Sequence, residues 1–230
     1  MIRERINPAS TQSARSVRRG RRHNELSIGD VRELALLESA RALLREHPRS
    51  RPTVEAIAAG AGLTRTAFYF YFSRTEEIVA RLGEDILEDV LEATAPFFDP
   101  TQPIETSIVE AVRGQIAVYA DHGAVLCAIV ELAGSDEEVR ALWLGLMERF
   151  IDPIAARLEA YAREAGVEPD TRRLRHTAET LVWMLERYSY IWASGHYDYT
   201  ADEVSEAITD STLRLVRSVA DRRREPRRLL

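Results

Sequence analysis

The sequence predicts an all-α fold of about nine helices, with a small three-helix unit ahead of a larger helical one. Three observations carry this. Apolar residues recur at i, i+3, i+4 and i+7 along most of the chain, the spacing of helices with one buried face. No segment alternates with the period of two that a half-buried strand requires, and no repeat is present. Between the apolar stripes stand helix-start signals (Ser, Thr or Asp, several with an acid three residues on) and helix-end signals (Gly or Pro).

Taken in order, the first helix is expected to begin at Asp30 with Glu33 as its capping-box partner. Leu34, Leu37, Ala40, Leu43 and Leu44 form its buried stripe, and Pro48 lies just beyond its end. Thr53 caps a second helix whose small apolar face is Val54, Ile57, Ala58 and Ala61. Gly62 follows where a sharp turn needs a residue tolerant of positive φ. Thr64 caps a third helix in which Phe68 and Phe72 point inward, while Arg65, Thr66, Tyr69 and Phe70 share an arc of about 140° on the other side. Ser73 with Glu76 opens a fourth helix, with Ile78, Leu82, Ile86, Leu87, Val90 and Leu91 inward and Pro96 as its end.

A fifth helix runs from Ile104 to about Ala120, and Gly123 separates it from a sixth in the run AVLCAIVELA, closed by Gly134. Ser135 with Glu138 starts a seventh that reaches Ala165, with a kink or local break expected at Pro153. Asp170 opens the eighth, which ends at Gly195, and Thr200 with Glu203 caps the ninth, which fades into the basic tail Arg222–Arg228.

At 230 residues the chain can bury a sizeable core without covalent staples. One cysteine, Cys127, excludes an internal disulfide and fits a reducing compartment; within its apolar run it reads as a buried structural thiol. No apolar run reaches the ~18–20 residues of a membrane span, and the N-terminus lacks a signal-peptide core, so a cytoplasmic protein without membrane contact is expected. The net charge of −6 is unevenly divided. Residues 1–24 hold seven arginines against Glu4, a net +6, which leaves −12 on the remainder. All 31 basic residues are arginine, a fact read as codon bias.

Two short helices joined by one tight turn form a helix-turn-helix, whose second helix presents its N-terminal residues to a DNA major groove. Residues 1–24 beside it read as a disordered basic arm, in which Arg18-Arg19-Gly20-Arg21-Arg22 follows a duplex backbone, slips Arg19 and Arg21 into a narrow minor groove, or belongs to a solubilising or leader tail. Catalytic signals are missing. His23, His47, His122, His176 and His196 are scattered without metal-ligand spacing, no phosphate loop or nucleophile elbow occurs, and paired acids sit in first helical turns. No metal, cofactor or enzymatic activity is therefore expected. Trp143, Trp183 and Trp192, with Met147, Phe150, Met184, Tyr188 and Tyr190, gather on the seventh and eighth helices. Such a zone is either a filled core with an oligomer interface or the lining of a pocket for an apolar small molecule.

Thr53, Ile57-Ala58, Ala61-Gly62-Leu63-Thr64-Arg65, Phe68-Tyr69, Phe72 and Glu76-Glu77 resemble, residue and spacing together, the TetR family of bacterial transcriptional regulators. Arg19-Gly20-Arg21-Arg22, Phe68-Tyr69-Phe70-Tyr71-Phe72, Leu142-Trp143 with Met147, and Met184 with Glu186-Arg187 are similar to its EthR-like branch. The resemblance implies an all-α homodimer paired through its last two helices, with a ligand pocket enclosed by the fourth to eighth. It implies that Arg65, Thr66, Tyr69 and Phe70 approach base edges. Thr53, Thr64, Tyr71, Arg74, Thr75 and the arm's Arg19 and Arg21 complete the expected DNA contacts. The expected pocket comprises Leu87, Leu91, Ile108, Val112, Gln115, Tyr119 and Trp143, with Met147, Phe150, Val182, Trp183, Leu185 and Tyr190. Four positions depart from the family pattern. Thr75 replaces a lysine, with Arg74 beside it as substitute; Ala67 replaces a threonine; Val182 and Leu185 replace two asparagines, which favours a more apolar ligand.

The expected organisation is a basic arm at 1–24, a helix-turn-helix DNA-binding domain at 25–75, and a ligand-binding and dimerisation domain at 76–230. The expected activity is that of a repressor released from a pseudo-palindromic double-stranded operator by an apolar effector; the alternatives are an effector-independent DNA-binding dimer and a helical ligand carrier or enzyme.

Overall fold

The computed structural model describes residues 27–47 and 51–221. Arg19, Arg21 and the rest of the basic arm, Pro48 and the tail Arg222–Arg228 lie outside the described residues. Those described form eight α-helices: α1 (Ile28–Glu46), α2 (Val54–Gly60), α3 (Arg65–Tyr71), α4 (Thr75–Thr94), α5 (Ile104–Ala133), α6 (Glu137–Glu164), α7 (Thr171–Ala193) and α8 (Ala201–Arg217). A 3₁₀ turn, Ala95–Phe98, closes α4 where Pro96 can no longer donate to the ladder.

The first unit is built by caps and one close approach. Ser27, not Asp30, caps α1. Its hydroxyl accepts from the Asp30 amide, and the Asp30 carboxylate accepts from the Ser27 amide. The helix therefore starts two residues earlier than expected, with Asp30 as the acid of the box. Its apolar stripe is also rotated, since Leu36, Leu37, Ala40 and Leu44 are buried while Leu34 is 47% exposed. The Ser39 hydroxyl donates to the Ile57 carbonyl at 2.8 Å, tying α1 to α2 inside the core. After α2 the Gly62 amide bonds the Ala59 carbonyl and the Leu63 amide bonds the Ala58 carbonyl, with Gly62 at φ 67°. This pair of bonds is the helix ending that left-handed glycine permits. Phe68 and Phe72 then close the unit from α3, their ring centroids 5.8 Å apart.

The larger unit is organised by α5. The expected break at Gly123 does not occur: one helix of 30 residues replaces the two predicted, giving eight helices instead of nine. A glycine inside a helix costs only about 1 kcal/mol relative to alanine, which the surrounding ladder absorbs. Gly123 serves packing instead, because a Cβ there would stand 2.9 Å from the Cβ of Ala193 at the end of α7. The continuous α5 is also long and apolar enough to span a membrane by composition, contrary to the expectation from shorter runs. With 61% of its apolar window buried inside the fold, it is the core helix, packed against α1, α4, α6, α7 and α8.

Pro153 does not break α6, which passes through it from Glu137 to Glu164. Its start is capped by Asp136, not Ser135, whose hydroxyl donates back to Leu132. At the start of α4 the Glu77 carboxylate, not Glu76, takes the Ser73 amide. Asp170 and Thr200 cap α7 and α8 as expected. The buried side chains form one cluster from Leu36 to Val219, continuous between the two units.

Gly114 sets the distance between α4 and α5, since a Cβ there would lie 2.6 Å from the Ala93 carbonyl oxygen. Gly114→Ala should lower stability by about 1–3 kcal/mol through this overpacking. Gly145→Ala, where a Cβ meets open space, should gain up to about 1 kcal/mol from helix propensity. Denaturant midpoints of the two variants test the contrast; equal shifts would remove the packing role of Gly114.

Candidate DNA-reading face and ligand cavity

The α3 helix turns one face to solvent because its other face is fixed by Phe68. Arg65, Thr66, Tyr69 and Phe70 are all exposed, Phe70 at 82%. Arg65 is held over Tyr69, with its guanidinium carbon 5.6 Å from the ring centroid and Nη2 donating to the tyrosine hydroxyl at 3.3 Å. It also pairs with Glu55 of α2, so the side chain is oriented before any partner arrives. Thr53 and Thr64 are engaged as caps, accepting from the amides of Ala56 and Ala67. Tyr71 is half-buried, near Gly29 at the start of α1. Thr75 is half-buried and bonds the neighbouring Glu76 carboxylate at 3.3 Å.

Arg74 has partners that the sequence did not suggest. Its guanidinium bridges Asp136 and Glu138 at the start of α6. Asp136 in turn accepts from the Val139 amide at 3.0 Å, and that bond, with Arg74 second, holds its carboxyl below the usual carboxylate range. Arg51 adds a second link, donating to the Ser135 hydroxyl at 2.7 Å. The helix-turn-helix unit is thus tethered at two points to the N-terminus of α6.

Behind this tether lies a cavity of about 500 Å³ among α4, the 3₁₀ turn, α5, α6 and α7, with Thr212 of α8 in its wall. Of the residues expected to form a pocket, Leu87, Ile108, Val112, Gln115, Tyr119, Trp143, Met147, Phe150, Val182 and Leu185 line it. Leu91, Trp183 and Tyr190 do not. On α7 the lining comes from the arc of Leu181, Val182, Leu185 and Glu186, and both Trp183 and Tyr190 fall off that arc. Tyr190 instead lies under the Arg187 guanidinium, 5.0 Å from the ring centroid. Leu91 is half-buried on α4 without reaching the cavity.

Sequence reasoning missed Phe97 and Phe98, which follow Pro96 and enter the wall from the 3₁₀ turn. It also missed Leu126 and Ile129, whose helix was divided at Gly123, and the acid Glu186. Glu186 is 3% exposed, and neither carboxyl oxygen has a hydrogen-bond partner. Burial pushes this carboxyl up, opposed by Arg187, whose Nε stands 3.6 Å away. The buried Tyr119 hydroxyl is pushed up likewise, first by burial and then by Glu186; burial also takes the Cys127 thiol to about 12. These groups stay in their uncharged forms more readily than they would in water.

A raised carboxyl makes the folded state bind a proton that the unfolded chain releases near 4.5. The stability contributed by Glu186 is therefore complete below that value and is lost as pH rises through the folded value. Glu186→Gln should gain stability relative to the parent as pH is raised from 4 to 8, read from melting temperatures. A constant difference would show that burial does not perturb Glu186.

Comparison with known proteins places this geometry. Residues 36–82 match the model of bacterial regulatory proteins, tetR family, and residues 108–216 match that of the transcriptional regulator EthR, C-terminal domain. The HTH-type transcriptional regulator EthR of Mycolicibacterium smegmatis is 32% identical over 182 residues, covering 77% of this chain and 82% of its own. The HTH-type transcriptional repressor KstR2 of Rhodococcus jostii is 25% identical over 192 residues, or 78% of this chain and 90% of its own. Among solved structures, a TetR-family transcriptional regulator from Syntrophomonas wolfei superposes with a TM-score of 0.64 at 18% identity, covering 80% of this chain and 94% of that one.

Proposed function

The chain belongs to the tetR family of bacterial regulatory proteins, and on that premise we propose a homodimeric repressor that leaves its operator when an apolar small molecule fills the cavity. The observation that carries the DNA-binding part is the face of α3. Four side chains of mixed polarity stand exposed on one short helix, and the Phe70 ring, which meets Tyr71 edge-on, is still 82% exposed. Placed in a major groove, Arg65 and Thr66 are suited to base edges and Tyr69 and Phe70 to base and methyl contacts. Thr53, Thr64, Tyr71 and Thr75, at the rim of the unit, are suited to phosphates, and Arg19 and Arg21 of the arm add salt-sensitive affinity.

Two subunits joined through α7 and α8 would present two α3 helices at a fixed spacing, as a pseudo-palindromic operator requires. The cavity supports the effector part, being largely apolar and within the ~300–1,000 Å³ of small-molecule sites. Its wall includes Val139 and Trp143, the first turns of the helix capped by Asp136. An effector that displaces this end of α6 moves the partner of Arg74, and with it the helix-turn-helix unit. Arg74 would then exchange carboxylates for phosphate as the DNA-bound spacing is gained or lost. The effector shifts that equilibrium only by its differential affinity for the two spacings, about 1.4 kcal/mol for each tenfold.

Tyr69→Ala should weaken binding to the operator by about 1–3 kcal/mol and binding to random duplex far less, measured by titration at one salt concentration. Equal losses on both DNAs would remove its base-reading role. Deletion of residues 1–24 should flatten the salt dependence of operator binding by roughly 0.9 in log–log slope for each phosphate contact removed. An unchanged slope would leave the arm as a passive tail.

A further inference from the structure

The cavity has one feature that an apolar pocket does not need. Glu186 of α7 stands among apolar side chains such as Leu185, Val182 and Met147, in a mostly apolar wall that also includes Glu84, Thr94, Gln115 and Arg149. Both of its oxygens are buried without a hydrogen-bond donor, and the nearest cation is the adjacent Arg187, at 3.6 Å and itself half-exposed. Thr212, which faces the same cavity from α8, has a buried hydroxyl that is also without a partner. The Tyr119 hydroxyl comes from α5 and is close enough to Glu186 for its ionisation to be disfavoured. Polar groups buried from three helices ordinarily satisfy one another or hold water. Here the carboxyl and the Thr212 hydroxyl remain unsatisfied.

We propose that Glu186 is the polar anchor of the cavity, selecting effectors that carry an O–H or N–H donor at one end of an apolar chain. This rests on the cavity being the effector site. A carboxyl accepts from such a donor whether or not it holds its proton, and an ammonium head would in addition pair with the ionised form. A carboxylate head would bring a second acid to the same wall and stay only by sharing one proton. An ether or hydrocarbon end would leave Glu186 as it is, without the bond. Val182 and Leu185 beside it supply no donor or acceptor, so on α7 head-group discrimination falls on Glu186, with Thr212 and Tyr119 able to bond the same head and Gln115 of α5 a further polar group in the wall.

The test uses the full-length protein and four probes below their micellar concentrations: decan-1-ol, decylamine, 1-methoxydecane and decanoate. Binding is read from tryptophan fluorescence, to which Trp143 in the wall reports, and from thermal shift. The alcohol and the amine should bind about tenfold more tightly than the ether, and decanoate should bind more weakly than either of them. Glu186→Leu, similar in volume, should abolish the preference of alcohol over ether. Glu186→Gln, which keeps a carbonyl acceptor, should retain the alcohol but lose the extra affinity for the amine, and it guards against a folding defect in the leucine variant. Alcohol and ether binding equally to the parent, or an undiminished preference in both variants, overturns the anchor while leaving the cavity as effector site. Failure of all four probes to bind overturns the effector site and the anchor with it.

Discussion

The burial of α5 is the constraint on which the rest of the structure depends. A helix of 30 residues that is buried along one face in its first half and on nearly every face from Gly123 to Ile129 has no stable exposure to water, so other helices must cover it. α4, α6, α7 and α8 do so, and the three-helix unit leans on its far end through α1. The cavity follows from the same arrangement. Long helices laid against one axle diverge along their length, and the gap between α4, α5 and α6 is lined by whatever apolar side chains face it.

Much of this was legible in the sequence. The apolar period gave the helices, Thr53, Thr64, Asp170 and Thr200 gave starts that the structure reproduces, and the inward Phe68 and Phe72 fixed which side of α3 is free. What failed did so for local reasons. A capping box tolerates either acid, so Ser27–Asp30 was read as Asp30–Glu33. Gly123 carries the same letter whether it turns a chain or lets two helices touch, and only the position of Ala193 distinguishes them. The resemblance groups Tyr190 with Val182 and Leu185, and aromatic composition adds Trp183, although one helical arc separates lining from flank. The partners of Arg74 lie 62 and 64 residues away in sequence, beyond the reach of any local pattern.

Those partners give the molecule its charge logic. The excess of acid outside the N-terminal arm is not spread as a uniform repulsive field. Part of it is used at Asp136 and Glu138, where it holds an arginine from the helix-turn-helix unit against the other unit. Glu148 and Asp152 of α6 similarly hold Arg175 of α7, which also pairs with Glu179 one turn on along its own helix. Every cation in these pairs is a guanidinium, which keeps its charge throughout the working pH range. Glu186 is the contrasting case, an acid on the cavity wall whose guanidinium neighbour, Arg187, stands 3.6 Å away without a hydrogen bond.

The contact of Gly114 with the Ala93 carbonyl also has a mechanical meaning. It joins backbone to backbone at the C-terminal end of α4 and cannot yield as a side chain can. Leu87 lies six residues from this fulcrum, about 9 Å along the helix, and Thr75 lies eighteen residues from it, about 27 Å. For a rod pivoting there, widening by about 1 Å beside Leu87 becomes about 3 Å where α4 enters the helix-turn-helix unit. A rod pinned at that point would amplify displacement about threefold while passing on about one third of the force.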